Sequence, residues 1–217
     1  MYLTRLSLNP RRRGARGLLA SPHAMHAAVV SGFAPEQGLV ADDSTGRVLW
    51  RVDVDGHDTR LFVVSPLEPD LTHVVEQAGW PTTSSWLTRK YQPLLDQLSV
   101  GQLWAFRLRG NTVKQARDVG KRVGHVTAEQ QVEWLMTRAG RHGFVVRELP
   151  DGTPEVVVSR RENSRFHRGD DVVTLATAQF DGVLEVVDVE SMRLALIGGI
   201  GRAKGYGCGL LTLARPS

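Results

Sequence analysis

Apolar side chains alternate with polar ones, or recur at helical spacing, in short blocks along most of this chain, and the blocks predict a mixed α+β protein. The segment Tyr2-Leu3-Thr4-Arg5-Leu6-Ser7-Leu8-Asn9 alternates in part and is closed by Pro10, which predicts an opening strand. A basic stretch with Arg11, Arg12, Arg13 and Arg16 follows and reads as a loop. Ser21-Pro22 is a helix start, with serine as N-cap and proline at the first helical position. Met25, Ala28, Val29, Gly32 and Phe33 then recur at helical spacing, predicting a helix of about 11 residues with one buried stripe. His26 borders that stripe and His23 lies farther out, three residues earlier.

Residues 34 to 46 read as a loop. Val48, Trp50, Val52 and Val54 alternate with polar residues up to the turn signal Asp55-Gly56, and Leu61 and Val63 continue the hairpin. Asp70 to Ala78 fits a short helix. Gly79 to Leu98, broken by Pro81 and Pro93, fits an irregular link with one weak strand, so a boundary near residue 98 divides the chain into domains 1–97 and 98–217. The second half repeats the plan. Gln102 to Gly110 is a strand in which Leu103 and Ala105, with alternating Arg107 and Arg109, suggest one buried and one basic face. After a basic loop, Lys114 to Arg122, the capping box Thr127-Ala128-Glu129-Gln130 opens a helix with Val132, Leu135, Met136 and Ala139 as its buried stripe, ended by Gly140 and Gly143. Phe144 to Arg147 and Glu155 to Ser159 flank the turn signal Asp151-Gly152, while Val172 to Phe180 and Val183 to Val187 flank Asp181-Gly182, which reads as another hairpin. Asp188 caps a helix through Leu196, and Leu210 to Ala214 is the last strand.

Both halves can therefore be written βαββαβ, a tandem ferredoxin-like (RRM-like) fold. The first half lacks a clear final strand, so the duplication is one of plan and not of sequence. With 217 residues, 41% of them hydrophobic and 6% aromatic, the chain has the composition of a soluble globular protein and excludes a fibre or a disordered chain. The net charge of +4 permits a polyanionic partner. Cys208, the single cysteine, excludes an internal disulfide and a cysteine-rich metal site, as fits a reducing cytoplasm. No apolar run approaches the roughly 20 residues of a membrane span, and Arg11-Arg12-Arg13 follows a strand-like segment instead of a signal-peptide core; a cytoplasmic protein with no membrane contact is expected.

Candidate chemistry concentrates in three places. The stretch Gly198 to Gly209 carries Arg202 and Lys204 among glycines at 199, 201, 205, 207 and 209. Glycine is worth its entropy mainly where φ is positive or a Cβ would collide, and free N–H groups in such a loop can hold an anion; a nucleic-acid phosphate is the first candidate. This is no dinucleotide-binding loop, because it follows a helix and enters the final strand. Second, cations cluster at Arg11, Arg12, Arg13 and Arg16; Lys114, Arg117, Lys121 and Arg122; Arg160, Arg161, Arg165 and Arg168; and Arg202 and Lys204, while acids gather between Glu36 and Asp70. Any one cluster by itself reads first as a solvated loop, but four loops that a duplicated plan brings to one surface would give salt-dependent phosphate binding. Ser159 to Asp171 suits either insertion along an RNA groove or a disordered loop. Third, His26 stands near a helix start, where N–H groups favour phosphate, and an imidazole there can pass a proton to or from a ribose oxygen. His57, His73, His125, His142 and His167 show no metal-ligand spacing, and no HExxH, Ser-His-Asp or P-loop motif is present; no metal and no cofactor are expected.

These residues also resemble a known family. Gly199-Ile200-Gly201, five residues, then Gly207-Cys208-Gly209 is similar to the glycine signature near the C-terminus of CRISPR repeat-processing endoribonucleases. Tyr2 to Pro10, Pro22-x-x-Met25-His26, Phe106-Arg107-Leu108-Arg109-Gly110-Asn111 and Gly120-Lys121-Arg122-Val123 resemble its CasE branch. The resemblance implies two ferredoxin-like domains, with His26 as catalytic residue in the first. It further implies metal-independent cleavage at the base of the repeat hairpin in CRISPR precursor RNA, leaving a 2′,3′-cyclic phosphate and a 5′-hydroxyl. The enzyme would stay on the stem-loop and join other type I-E Cascade subunits, and be a monomer when free. The family often has a helping tyrosine three residues before the histidine; His23 stands there, to orient the phosphate, share the proton transfer or face solvent. Whether His26 is general base or general acid stays open. The competing expectation is a catalytically silent subunit that binds an RNA hairpin.

Overall fold

The computed structural model describes residues 1–34, 46–81, 86–115, 122–124, 127–168 and 171–216, and for residues 114–115, 122–124, 166–168 and 171–172 the backbone only. Its contacts divide the chain into two compact units. The first comprises Met1–Gln97 with Ile197–Gly199 and Lys204–Leu210. Its elements are β1 (Tyr2–Leu8), α1 (Arg13–Ala20), α2 (Pro22–Val30), β2 (Leu49–Asp55), β3 (Asp58–Ser65), α3 (Thr72–Ala78), β4 (Leu87–Lys90) and the short α4 (Gln92–Asp96). The strands form one antiparallel sheet in the order β2-β3-β1-β4. The weak strand expected before residue 98 is β4, which pairs with β1 from Tyr2↔Lys90 to Arg5↔Leu87. Three helices cover one face, where Leu6, Leu8, Ala15, Leu18, Met25, Val29, Trp50, Leu61, Val63 and Val74 make a common core.

The second unit comprises Leu98–Leu196, Ile200–Ala203 and Leu211–Ser217. Its elements are β5 (Leu103–Asn111), β6 (Val113–Gln115), β7 (Arg122–Gly124), α5 (Ala128–Ala139), β8 (Phe144–Val146), β9 (Val156–Arg168), β10 (Asp171–Val186), α6 (Val189–Gly198) and β11 (Leu211–Ala214). The sheet runs β11-β5-β10-β8, with β9 continuing along the same edge of β10. Each unit thus carries the ferredoxin-like strand order, and the fold is the tandem ferredoxin-like one. The capping box holds: the Gln130 N–H donates to the Thr127 hydroxyl at 3.2 Å. Asp188 likewise accepts from the N–H groups of Glu190 and Ser191 at the start of α6. In the core Trp134 stacks on Phe180, ring centroids 5.8 Å apart.

Several expectations are corrected. The basic stretch after Pro10 is not all loop, because Arg13 and Arg16 lie on α1, whose buried Ala15 and Leu18 dock it on the core. Gly14 and Gly17 weaken its intrinsic helicity and hid it in the sequence. The first hairpin turns at Gly56-His57, since Asp55 pairs with Asp58. On β5 the buried residues are Trp104, Phe106 and Leu108, so Leu103 and Ala105 share the outer face with Arg107 and Arg109. On α5 the buried side chains are Gln131, Trp134, Leu135 and Ala139, and Val132 and Met136 are half-exposed.

The largest difference concerns the hairpins of the second half. Asp181-Gly182 is no turn but lies inside the 16-residue strand β10. A Cβ on Gly182 would stand 2.2 Å from the Glu155 carbonyl, so glycine is there for close strand approach, and the Asp181 carboxylate accepts from Arg107 Nε. Nor are residues 159–168 a loop; they are most of β9, paired with β10 out to Arg168↔Asp171. The register shifts between Thr177 and Gln179, where Arg160 takes φ 45°, a bulge that redirects the strand.

β2 carries the least expected feature. Its second face holds Arg51, 1% exposed, which donates Nε to Asp53 Oδ1 at 2.6 Å and Nη2 to Oδ2 at 2.9 Å. Its Nη1 donates to the carbonyl of Leu210, 159 residues away, at 2.9 Å. Bidentate geometry and a third acceptor offset the desolvation of the guanidinium, but removing one partner would strand a buried charge. Asp53→Ala is therefore expected to destabilise the protein by about 3–5 kcal/mol, whereas the double change Arg51→Met with Asp53→Leu should cost far less. Urea unfolding midpoints check this; equal losses in both variants would refute it.

Candidate functional site

α2 begins where Ser21 accepts the N–H of Ala24 at 3.2 Å, with Pro22 in the first turn. Met25 and Val29 fix the helix to the core, and His73 Nε2 lies 2.8 Å from the Ala28 carbonyl, so that histidine joins α3 to α2. On this frame His23 is exposed and His26 half-buried.

The imidazole of His26 rests on Gly205. A Cβ built on that glycine would lie 3.5 Å from Nε2 and 3.6 Å from Cε1, while Nδ1 is buried. Gly205 is the middle of a 3-10 turn, Lys204–Tyr206, that packs against α2 and β2 within the first unit. Both flanks of the turn have left-handed backbone, Ala203 at φ 64° and Gly207 at φ 77°. A Cβ on Gly207 would stand 2.7 Å from the Trp50 ring, and one on Gly199 2.8 Å from Leu49. The Arg47 N–H donates to the Ile197 carbonyl, so β2 and the chain before it hold the glycine-rich stretch at several points. Gly201, grouped with the second unit, has φ 80° and would meet Trp134 at 3.1 Å, and Gly209 has φ 89°. What occupies the space of the missing Cβ atoms at positions 199, 201 and 207 is protein, Leu49, Trp134 and Trp50, whereas a Cβ at 205 would meet His26 only at ordinary contact distance.

The cations divide by role. Arg11, Arg13 and Arg16 are exposed, with Arg16 Nη1 donating to the Arg11 carbonyl at 2.6 Å. Arg12 instead directs its guanidinium to the carbonyls of Val75, Glu76 and Gly79, capping the C-terminal end of α3. Arg160, Arg161 and Arg165 are exposed on β9, Arg202 is exposed, and Lys204 is half-buried in the turn beside Gly205. Lys114 and Arg122 lie on the β6–β7 pair, while Arg117, Lys121 and His125 lie outside the described residues, as do the acids from Glu36 to Asp43 and the side chain of Arg168. Sequence reasoning missed that Gly205 seats the histidine; the signal was a glycine flanked by Lys204 and Tyr206. Among the described residues no His, Cys, Asp or Glu side chains group as metal ligands would, and no helix is long and apolar enough to cross a membrane.

Two ferredoxin-like units, one of which sets the His26 imidazole beside the Lys204–Tyr206 turn, place the chain among tandem ferredoxin-like proteins. Known proteins narrow the class. The family model described as "CRISPR associated protein" matches residues 1–215. The CRISPR-associated endoribonuclease Cse3 of Thermus thermophilus is 33% identical over 224 residues, covering 99% of this chain and 100% of its own. The CRISPR system Cascade subunit CasE of Escherichia coli is 31% identical over 160 residues, covering 67% of this chain and 76% of its own. A solved structure of CRISPR endoribonuclease Cse3 bound to 19-nucleotide RNA matches with a TM-score of 0.82 at 31% identity, covering 99% of this chain and 100% of that one. The chain belongs to the CRISPR-associated Cse3/CasE endoribonuclease family.

The packing of Gly207 on Trp50 yields a stability test. Gly207→Ala, which sets a Cβ against the ring at positive φ, should cost about 1–3 kcal/mol, and part of that loss should return when Trp50→Leu clears the space. A thermal-denaturation cycle over the four proteins reads the coupling; additive effects would show that the contact does not hold the turn.

Proposed function

We propose that this chain cuts CRISPR precursor RNA at the base of the repeat hairpin and stays with the stem-loop as a Cascade subunit in the cytoplasm, free protein being monomeric. The observation that carries the reading is His26, fixed on α2 with its Nε2 edge against the Lys204–Tyr206 turn. The names of the relatives, an endoribonuclease and a Cascade subunit, support it.

In the reaction the ribose 2′-oxygen attacks the adjacent phosphorus and the P–O5′ bond breaks. One proton leaves the 2′-hydroxyl and one reaches the 5′-oxygen, so the products are a 2′,3′-cyclic phosphate and a 5′-hydroxyl and no water is consumed. His26 carries one of these transfers, a role that an imidazole can fill as base or as acid. His23, one helical turn earlier and exposed, orients a flanking phosphate in this reading. Exposed Arg11, Arg13 and Arg16 on the first unit, and Arg160, Arg161 and Arg165 on the second, supply phosphate contacts that give salt-dependent binding without themselves reading sequence. Arg12 contributes to this indirectly, by holding α3.

Cleavage of a CRISPR repeat-hairpin transcript should proceed unchanged in EDTA. His26→Ala should lower the single-turnover rate by about 10²–10⁴-fold while hairpin affinity stays within a few-fold. Product-end analysis should find the cyclic phosphate. A fully active His26→Ala variant would sink the assignment of that residue, and a wild-type protein that binds the hairpin and never cuts it would point to a silent RNA-binding subunit.

A further inference from the structure

Three consecutive residues of β2 anchor the glycine-rich stretch within the first unit. Gly199 is seated on Leu49, Gly207 on Trp50, and the Leu210 carbonyl on Arg51, while Ala203 adopts φ 64°, a conformation that a residue with a Cβ takes up only when its surroundings impose it. The short turn between Ala203 and Gly207 is thereby held, and its central residue lies beside the one imidazole assigned to proton transfer. A fixed backbone on both sides of a half-buried lysine is the arrangement that pre-places a charge; a lysine meant only to grip a passing backbone has no need of it.

We infer that Lys204 is a second catalytic residue, whose ammonium stabilises the negative charge that builds on the phosphorane oxygens during cleavage. The inference rests on the endoribonuclease reading above and deepens it. Adjacent Cα atoms are about 3.8 Å apart, so with Gly205 against Nε2 the Lys204 Cα stands within about 9 Å of that nitrogen. A four-carbon side chain spans most of that distance, enough reach for its ammonium to meet a phosphate held at the imidazole edge. Lys204 moves no proton in this scheme. The 2′-oxygen still forms the new P–O bond, the P–O5′ bond still breaks, and His26 still serves one of the two proton transfers. What Lys204 supplies is charge that costs no reorganisation when the fifth oxygen joins phosphorus. Tyr206, on the other side of Gly205, completes the turn and leaves the lysine as its only cation.

The experiment compares wild type, Lys204→Ala, Lys204→Arg and His26→Ala on one labelled repeat-hairpin RNA, measuring single-turnover cleavage and, with a 2′-deoxy substitution at the scissile nucleotide, equilibrium binding. Lys204→Ala is expected to cleave about 10²–10³-fold more slowly with an affinity within about three-fold of wild type, the charge at one contact being a small part of a multi-phosphate interface. Lys204→Arg should recover at least part of the rate, and melting temperatures should match wild type. Cleavage that persists in Lys204→Ala while His26→Ala is inactive would overturn this inference and leave the endoribonuclease reading standing. Parallel losses of rate and affinity would also overturn it, making Lys204 a grip on the RNA. An active His26→Ala variant would fail the underlying reading instead.

Discussion

A guanidinium buried to 1% exposure inside a sheet needs compensation, and the way Arg51 obtains it organises the first unit. Two of its donors take the Asp53 carboxylate on the same strand, and the third takes the carbonyl of Leu210, from the far end of the chain. Losing that carbonyl would leave a buried N–H unmet, which costs more than the hydrogen bond itself contributes. The segment from Lys204 to Leu210 is therefore held against β2, and with it the turn on which His26 rests. Burial of a charge here serves position. The bond from Arg51 to the Leu210 carbonyl ties to β2 the same segment whose turn lies beside His26.

Glycine has a second meaning once that clamp is in place. The signature Gly199-Ile200-Gly201 and Gly207-Cys208-Gly209 marks the family, and its glycines at 199, 201 and 207 all have positive φ. Yet the space each leaves open is taken by Leu49, Trp134 or Trp50, so their absent side chains admit core side chains of the protein. Only Gly205, with an ordinary backbone, meets a functional group, the His26 ring. The glycine-rich stretch is thus mainly a packing device whose middle presents Lys204, Gly205 and Tyr206 at α2. Two arginines of one N-terminal cluster also part ways: Arg12 closes the end of α3, whereas its neighbour Arg13 is exposed on α1.

Local chemistry made much of the fold legible in the sequence. The Ser21-Pro22 start, the Thr127 to Gln130 capping box, the Asp188 cap and the alternation along β1, β2 and β3 all depend on a few adjacent residues, and each appears where expected. Features that depend on distant partners were misread. Asp181-Gly182 looks like a turn in isolation, because a sequence does not show that the Glu155 carbonyl needs the room. α1 was hidden by Gly14 and Gly17, whose local cost is outweighed by docking Ala15 and Leu18 on the core. β9 looks like a basic loop because its exposed arginines lack the apolar face that identifies a strand, while pairing with β10 supplies its order instead.

The sequence by itself determined the α+β class, the two βαββαβ plans, the helix that carries His26 and the family signature, since all of these are written in residues close along the chain. Tertiary structure alone decided that Arg51 reaches Leu210, that Trp50 lies over Gly207 and that His26 rests on Gly205 beside Lys204. The physical reason is separation. Contacts between residues more than 150 positions apart leave no periodicity and no cap in the sequence. They arise when two surfaces, each shaped by its own local rules, bury a charge and a set of rings between them.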